Sequence, residues 1–109
     1  MLERSFEKKA LEGVRVIDFS WIVAGPQCTR LLADFGAEVI KVENEAALDY
    51  CRNILPINAE GSPNRSGLFN TLNRNKKSVT LNVMHPTGMD KLKELISISD
   101  VVVENFSSR

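Results

Sequence analysis

The sequence predicts an α/β fold built on an open parallel sheet. Two observations carry this: short β-branched runs alternate with amphipathic helical stretches along the 109 residues, and the first strand, helix and second strand follow one another too closely for anything but a parallel crossover. One hydrophobic core is expected at this length. Hydrophobic residues at 43% and charged residues at 26% exclude a disordered or fibrous chain.

The first strand is Val14–Phe19, a mostly apolar run that follows Gly13 and ends at Ser20. Pro26 then suits a first helical position, where its missing N–H costs nothing, and Cys28, Leu31, Leu32 and Phe35 repeat at i, i+3, i+4 and i+7 as one apolar face. Cys28 reads as a small core residue of that face. Gly36 closes the helix in a left-handed cap, and 37–42 follows as the second strand, joined by a right-handed crossover. From Glu43 to Arg65 the periodicity lapses among Pro56, Gly61 and Pro63, which predicts a long surface loop with one helical turn at most. Ser78–Val83 is the third strand. His85 enters a second helix that starts near Pro86 and carries Met89, Leu92, Leu95, Ile96 and Ile98, and Val101–Val103 is the fourth strand. In such a sheet, ligands collect beyond the carboxyl ends of the strands, here Ser20–Gly25, Glu43–Glu45, Asn82–His85 and Glu104–Ser107.

Fourteen basic and fourteen acidic side chains cancel, so no overall field draws the chain to nucleic acid or to an anionic membrane, and neither is expected as a partner. Cys28, Cys51 and the single His85 lack metal-site spacing, so no metal is expected. Residues 1–10 carry Glu3, Arg4, Glu7, Lys8 and Lys9 without an apolar run; they are expected to be a flexible N-terminus, neither signal peptide nor membrane span, in a cytoplasmic protein.

Several residues have two readings. The turn Ser20–Pro26 lets backbone approach a ligand at Ala24 and Gly25 and aims the N–H groups of Gln27 and Cys28 outward, as an anion site or as a plain tight turn. Glu43 stands where a Rossmann acid would hold a ribose hydroxyl. The three glycines of GxGxxG are absent, however, so a nicotinamide cofactor is disfavoured and Lys41 and Glu43 read as solvated strand-end charges. Asn73–Lys77 holds an anion or solvates a loop. Trp21 stacks on an adenine or plugs the packing. Asp34, Asp49, Asp90 and Asp100 lack a partner at catalytic spacing, and no GxSxG elbow is present.

Four blocks, Leu11–Phe19 with Ala24–Pro26, Leu32–Glu43, Asn73–Ser78 and Asp100–Phe106, occur in the order and register of family III CoA-transferases, which this sequence resembles over nearly its whole length. The resemblance implies a Rossmann-like open parallel sheet with flanking helices, an incomplete N-terminal part of a larger CoA-transferase fold, with residues 1–109 as its CoA-binding segment. It implies CoA contacts at Val23 and Ala24, at Asn44, at Leu81, Asn82 and Met84, and at Asn105, Phe106 and Ser107. Asn44 and Met84 replace an arginine and a lysine common in relatives. The implied reaction moves CoA between an acyl-CoA thioester and a small carboxylic acid, with coenzyme A or acyl-CoA as substrate and no covalently bound cofactor. Its nucleophilic aspartate is expected beyond residue 109, so no catalytic residue is assigned within the chain, and the full-length form is expected to be an interlocked homodimer. A racemase acting on α-methylacyl-CoA shares this opening, and a non-catalytic CoA- or nucleotide-binding module is the alternative of another class.

Overall fold

The computed structural model describes residues 8–54 and 62–108. Strand β1 (Arg15–Asp18) leads through helix α1 (Ala24–Asp34) into strand β2 (Glu38–Glu43). Helices α2 (Cys51–Ile54) and α3 (Gly67–Leu72) precede strand β3 (Lys77–Thr80), and helix α4 (Pro86–Ser97) precedes strand β4 (Val101–Val103). All pairings are parallel, in the order β3-β2-β1-β4, with Ile17 opposite both Ile40 and Val102 and Ile40 opposite Lys77. The chain moves outward from β1 through β2 to β3, then crosses to the other side of β1 for β4. The reversal falls between β1 and β4, and such a switch point is where open sheets gather ligands.

Gly36, at φ 104°, turns the chain out of α1, and its N–H reaches the Ala33 carbonyl at 3.0 Å. At this φ only glycine is free of a Cβ penalty. His85 caps α4 by accepting the Thr87 N–H on Nδ1 at 3.2 Å, with Pro86 in the first turn, as the sequence predicts.

The face of α1 differs from expectation. Its buried residues are Gly25, Pro26, Thr29 and Ala33, whereas Leu31 and Phe35 are 46% and 59% exposed and Cys28 is exposed too. Cys28 is therefore not a core residue, and of the expected apolar stripe only Leu32 packs against the core of Val16, Ala33, Ala37 and Val39. The 25, 29, 33 row of small residues lets the helix axis approach the sheet closely, so size rather than hydrophobicity selects the inner face. A Cβ on Gly25 would run into the Ser20 side chain and meet Asn105. That glycine thus serves close contact within the chain.

The expected helical turn in 43–65 is α2, and Cys51 packs there with Phe69 and Leu72 of α3. Helix α3 was not expected. Ser66 caps it by accepting the Phe69 N–H on Oγ at 3.2 Å. Residues 55–61 of the expected loop and 1–7 of the expected flexible N-terminus lie outside the described residues. Among the described residues no helix is long and apolar enough to cross a membrane, and no group of three or more His, Cys, Asp or Glu could hold a metal ion.

Candidate functional site

The carboxyl ends of β1, β2 and β3 and the segment after β4 surround two adjoining clefts. An apolar one of about 190 Å³ is lined by Phe19, Trp21, Val42, Glu43, Asn44, Ala47, Leu81, Val83 and Phe106. A polar one of about 410 Å³ is lined by Asn44, Glu45, Ala46, Thr80 and Asn82. Asn44 stands in both walls. Alternation along the strands explains the apolar lining: Phe19 extends the side of β1 that carries Ile17, and Val42 extends the side of β2 that carries Ile40. Trp21 meets Phe106 edge to face at 5.9 Å between centroids, so it closes one wall and also exposes ring to the cleft.

Four of the expected contact residues, Asn44, Leu81, Asn82 and Phe106, come together here. The Asn44 Nδ2 faces the Asn82 Oδ1 at 3.4 Å, and that oxygen also accepts the Met84 N–H at 3.0 Å. Met84 itself is 85% exposed and lines neither cleft. Val23 and Ala24 lie exposed at the start of α1, outside both clefts, as does exposed Ser107. The Asn105 side chain grips the backbone of Trp21, accepting from its N–H at 2.8 Å and donating to its carbonyl at 3.0 Å. Helix α1 starts at Ala24, two residues before Pro26, and the Gln27 N–H is bonded to the Val23 carbonyl at 2.9 Å. The N–H groups of Gln27 and Cys28 thus belong to the helix and do not form an anion cradle.

Beneath the clefts lies a buried set of ion pairs, where the sequence suggested solvated charges. Lys41, 2% exposed, places Nζ 2.9 Å from Asp49 Oδ2 and donates to the Ser20 carbonyl at 2.6 Å. Glu43, 4% exposed, receives both sides of the Arg52 guanidinium at 2.6 and 3.0 Å and the Asp49 N–H at 2.9 Å. Both oxygens of Glu43 are thus engaged within the chain. Arg52 also stacks on Phe69 at 3.6 Å from the ring centroid. In the basic run, Lys76 reaches Asp18 Oδ2 at 2.9 Å, Arg74 reaches Asp34 at 2.7 Å and Lys77 pairs with Glu38. The run braces the sheet, and all three of its cations are engaged by carboxylates. The sequence signals amphipathic strands but not these pairs, because a charge at a strand end looks the same buried or solvated.

Burial pushes the Asp18 carboxyl up, but hydrogen bonds from Ser20 and Thr29 and the Lys76 charge outweigh it and hold the group below its ordinary 3.8. Glu43 likewise lies below 4.5, burial being outweighed by the Arg52 bonds and the Asp49 N–H. Burial also pushes the Cys51 thiol up. In the folded state both carboxyls release their protons at lower pH than in the unfolded chain, so between the folded and ordinary values the unfolded chain binds more protons. Their contribution is complete above about pH 5 and is lost as pH falls through the 4.5–3.8 region and below. The urea midpoint is expected to be flat from about pH 7 to 5 and to fall steeply below, and Asp18→Asn to soften the fall. A midpoint unchanged down to about pH 3 would contradict this.

Residues 11–109 match the sequence profile of CoA-transferase family III. The chain belongs to this family. Formyl-CoA:oxalate CoA-transferase of Bradyrhizobium sp. (strain ORS 278) is 50% identical over 99 residues, which are 90% of this chain and 22% of that protein. The enzyme of the same name from Afipia carboxidovorans is 48% identical over 100 residues, 91% of this chain and 23% of its own length. Among solved structures, a CAIB/BAIF family protein from Brucella suis superposes with a TM-score of 0.80 at 35% identity, covering 92% of this chain and 26% of that one. A hypothetical protein from Mycobacterium tuberculosis gives 0.75 at 38% identity, over 91% and 26% of the two chains. The chain thus spans under a quarter of the length of these curated relatives. The family III fold begins with the same α/β sheet that the strand pattern predicts.

Proposed function

We propose that this chain is the CoA-binding part of an enzyme that moves CoA between an acyl-CoA thioester and a free carboxylic acid. The carrying observation is the pair of clefts at the carboxyl edge of the sheet, one apolar and ring-sized, the other lined by amides, meeting at Asn44. The adenine of CoA fits the apolar cleft beside Trp21, Leu81 and Phe106, with Asn44 and Asn82 facing its polar edge. Val23, Ala24, Met84, Asn105 and Ser107 border the path of the rest of the ligand. Asn105 keeps one N–H and one lone pair for it beyond those given to Trp21.

Four of the five aspartates of the chain are employed structurally: Asp18 and Asp49 are buried in ion pairs, Asp34 holds Arg74 and Asn75, and Asp100 accepts the Arg15 N–H, while Asp90 lies exposed on α4. The nucleophile is supplied from beyond Arg109. There a carboxylate attacks the thioester carbonyl and the C–S bond breaks, releasing CoA thiolate. The resulting anhydride is then open to that thiolate, so no external cofactor is needed. A small carboxylic acid is the acceptor, the complete enzyme is a cytoplasmic homodimer, and neither nucleic acid nor membrane takes part.

A thermal-shift titration with CoA, dephospho-CoA and NAD tests the binding. A ligand held only by the folded state adds RT ln(1 + [L]/Kd), about 2.7 kcal/mol at a hundredfold excess over Kd. CoA is expected to raise the midpoint and NAD to leave it unchanged. A rise with NAD alone would point to a dinucleotide site and sink the proposal.

A further inference from the structure

Ile22 has φ 68°, a left-handed conformation that a β-branched side chain strongly disfavours. Ile22 is also 44% exposed, so burial of its side chain does not explain the conformation. Such strain persists where the surroundings over-determine the backbone. Around Ser20, Trp21 and Ile22 they do, because each N–H and C=O of the three residues is held by a side chain. The Ser20 N–H donates to Asp18 Oδ1 at 2.9 Å, and the Ser20 carbonyl accepts from Lys41 at 2.6 Å. Asn105 holds both backbone groups of Trp21. The Ile22 N–H donates to Asp49 Oδ1 at 3.1 Å, and the Ile22 carbonyl accepts the Cys51 thiol at 3.3 Å.

The Trp21 carbonyl and the Ile22 N–H belong to one peptide unit. Asn105 therefore grips this unit on one edge and Asp49 on the other. Rotating the unit is the simplest way for Ile22 to leave the left-handed region, and it would break both grips at once. Asp49 is itself fully buried and anchored: Oδ1 also accepts the Cys51 N–H at 3.0 Å, and Oδ2 faces Lys41.

We infer that Asp49 is a positioning residue that holds Ile22 left-handed and so fixes the turn from which α1 starts. Resting on the CoA reading for its ligand, the turn presents Val23 and Ala24, the next two residues, to CoA in a single geometry. Asp49 touches no ligand in this scheme and acts through the Trp21–Ile22 peptide.

Asp49→Asn tests this in the full chain. Its amide can satisfy the N–H groups of Ile22 and Cys51 or the Lys41 ammonium, not both. Trp21 is the single tryptophan of the sequence and flanks the gripped peptide, so acrylamide quenching of its fluorescence reports on the turn without ligand. Quenching is expected to rise about two-fold in Asp49→Asn, with the far-UV circular dichroism retained, as local opening without global unfolding requires. The decisive variant is Ile22→Gly/Asp49→Asn. Glycine adopts positive φ unaided, so quenching returns toward the parent value. A merely structural Asp49 would not be rescued by removing a side chain at position 22. Unchanged quenching in Asp49→Asn, or no recovery in the double variant, overturns the inference. Should Asp49→Asn lose its helical signal, recovery of that signal in the double variant supports the inference and continued loss overturns it. The CoA dissociation constant is expected to rise about tenfold in Asp49→Asn and to recover with the quenching. If quenching behaves as expected while no variant binds CoA, the turn mechanism stands and the CoA reading fails.

Discussion

Asp18→Ala is expected to destabilise the chain by about 3–5 kcal/mol, the usual cost of removing one partner of a buried ion pair. Asp18 is fully buried and accepts from the Ser20 N–H and hydroxyl, the Thr29 hydroxyl and the Lys76 ammonium, so it joins β1, α1 and the segment before β3 at one point. Alanine would leave the Lys76 ammonium, whose pKa burial already depresses, without a counter-charge and would orphan the N–H and hydroxyl of Ser20, while Thr29 keeps the Gly25 and Pro26 carbonyls. Since small domains have only about 5–15 kcal/mol of stability, the variant should be largely unfolded near physiological temperature. Asp18→Asn keeps one acceptor oxygen, enough for Ser20 with the Thr29 hydroxyl turning to its backbone carbonyls, and should lose roughly half as much. Urea denaturation of the three proteins checks the order; an Asp18→Ala midpoint equal to that of the parent would contradict it.

Arg52→Ala should lose a similar amount, about 3–5 kcal/mol, through a different route. The guanidinium neutralises Glu43, donates to the Pro63 carbonyl and the Asn64 side chain, and covers the face of Phe69. Its removal leaves a buried carboxylate and strips the contact that fastens the segment at 63–64 to the sheet. Arg52→Lys restores charge but not the fork, so it should recover less than half of the loss. Without Arg52 the folded-state Glu43 carboxyl moves back toward its ordinary range, so its share of the acid-induced fall in stability should shrink in Arg52→Ala. A double-mutant cycle with Glu43→Gln measures the coupling between the pair. Coupling near zero would show that the two charges act independently.

Much of the fold could be read directly. Val14–Phe19 and Val101–Val103 are β-branched runs with little other interpretation, Gly36 and His85 mark helix ends by mechanism, and the spacing between the first two strands admits only a parallel crossover. The faces were harder. Leu31 and Phe35 look like core to any hydrophobic scale, yet α1 buries Gly25, Thr29 and Ala33, because a helix laid close on a sheet selects for small volume. The charges at 41, 43, 49, 52 and 76 belong to buried pairs whose partners lie 8, 9 or 58 positions apart, and no local pattern announces a partner at such varied distances. Helix α3 went unforeseen because its six residues are too few to show a period. Of the candidate site, both clefts are lined by residues at the strand ends that the sequence singles out. The left-handed Ile22 left no trace in sequence, since residue type argues against it.

The contacts that complete the Trp21 turn differ widely in the length of chain they close. Cys51 lies 29 residues from Ile22 and Asp49 lies 27, but Asn105 is 84 residues from Trp21. Short closures form early and long ones late, because the entropy of bringing the ends together grows with the loop. β1, α1 and β2 can assemble from neighbouring sequence, whereas β4 must return across the whole chain before Asn105 can reach the turn. During synthesis, the Trp21 turn is therefore unfinished until Asn105 has emerged. A chain stalled or cut before Asn105 would keep most of its sheet and still lack a shaped turn.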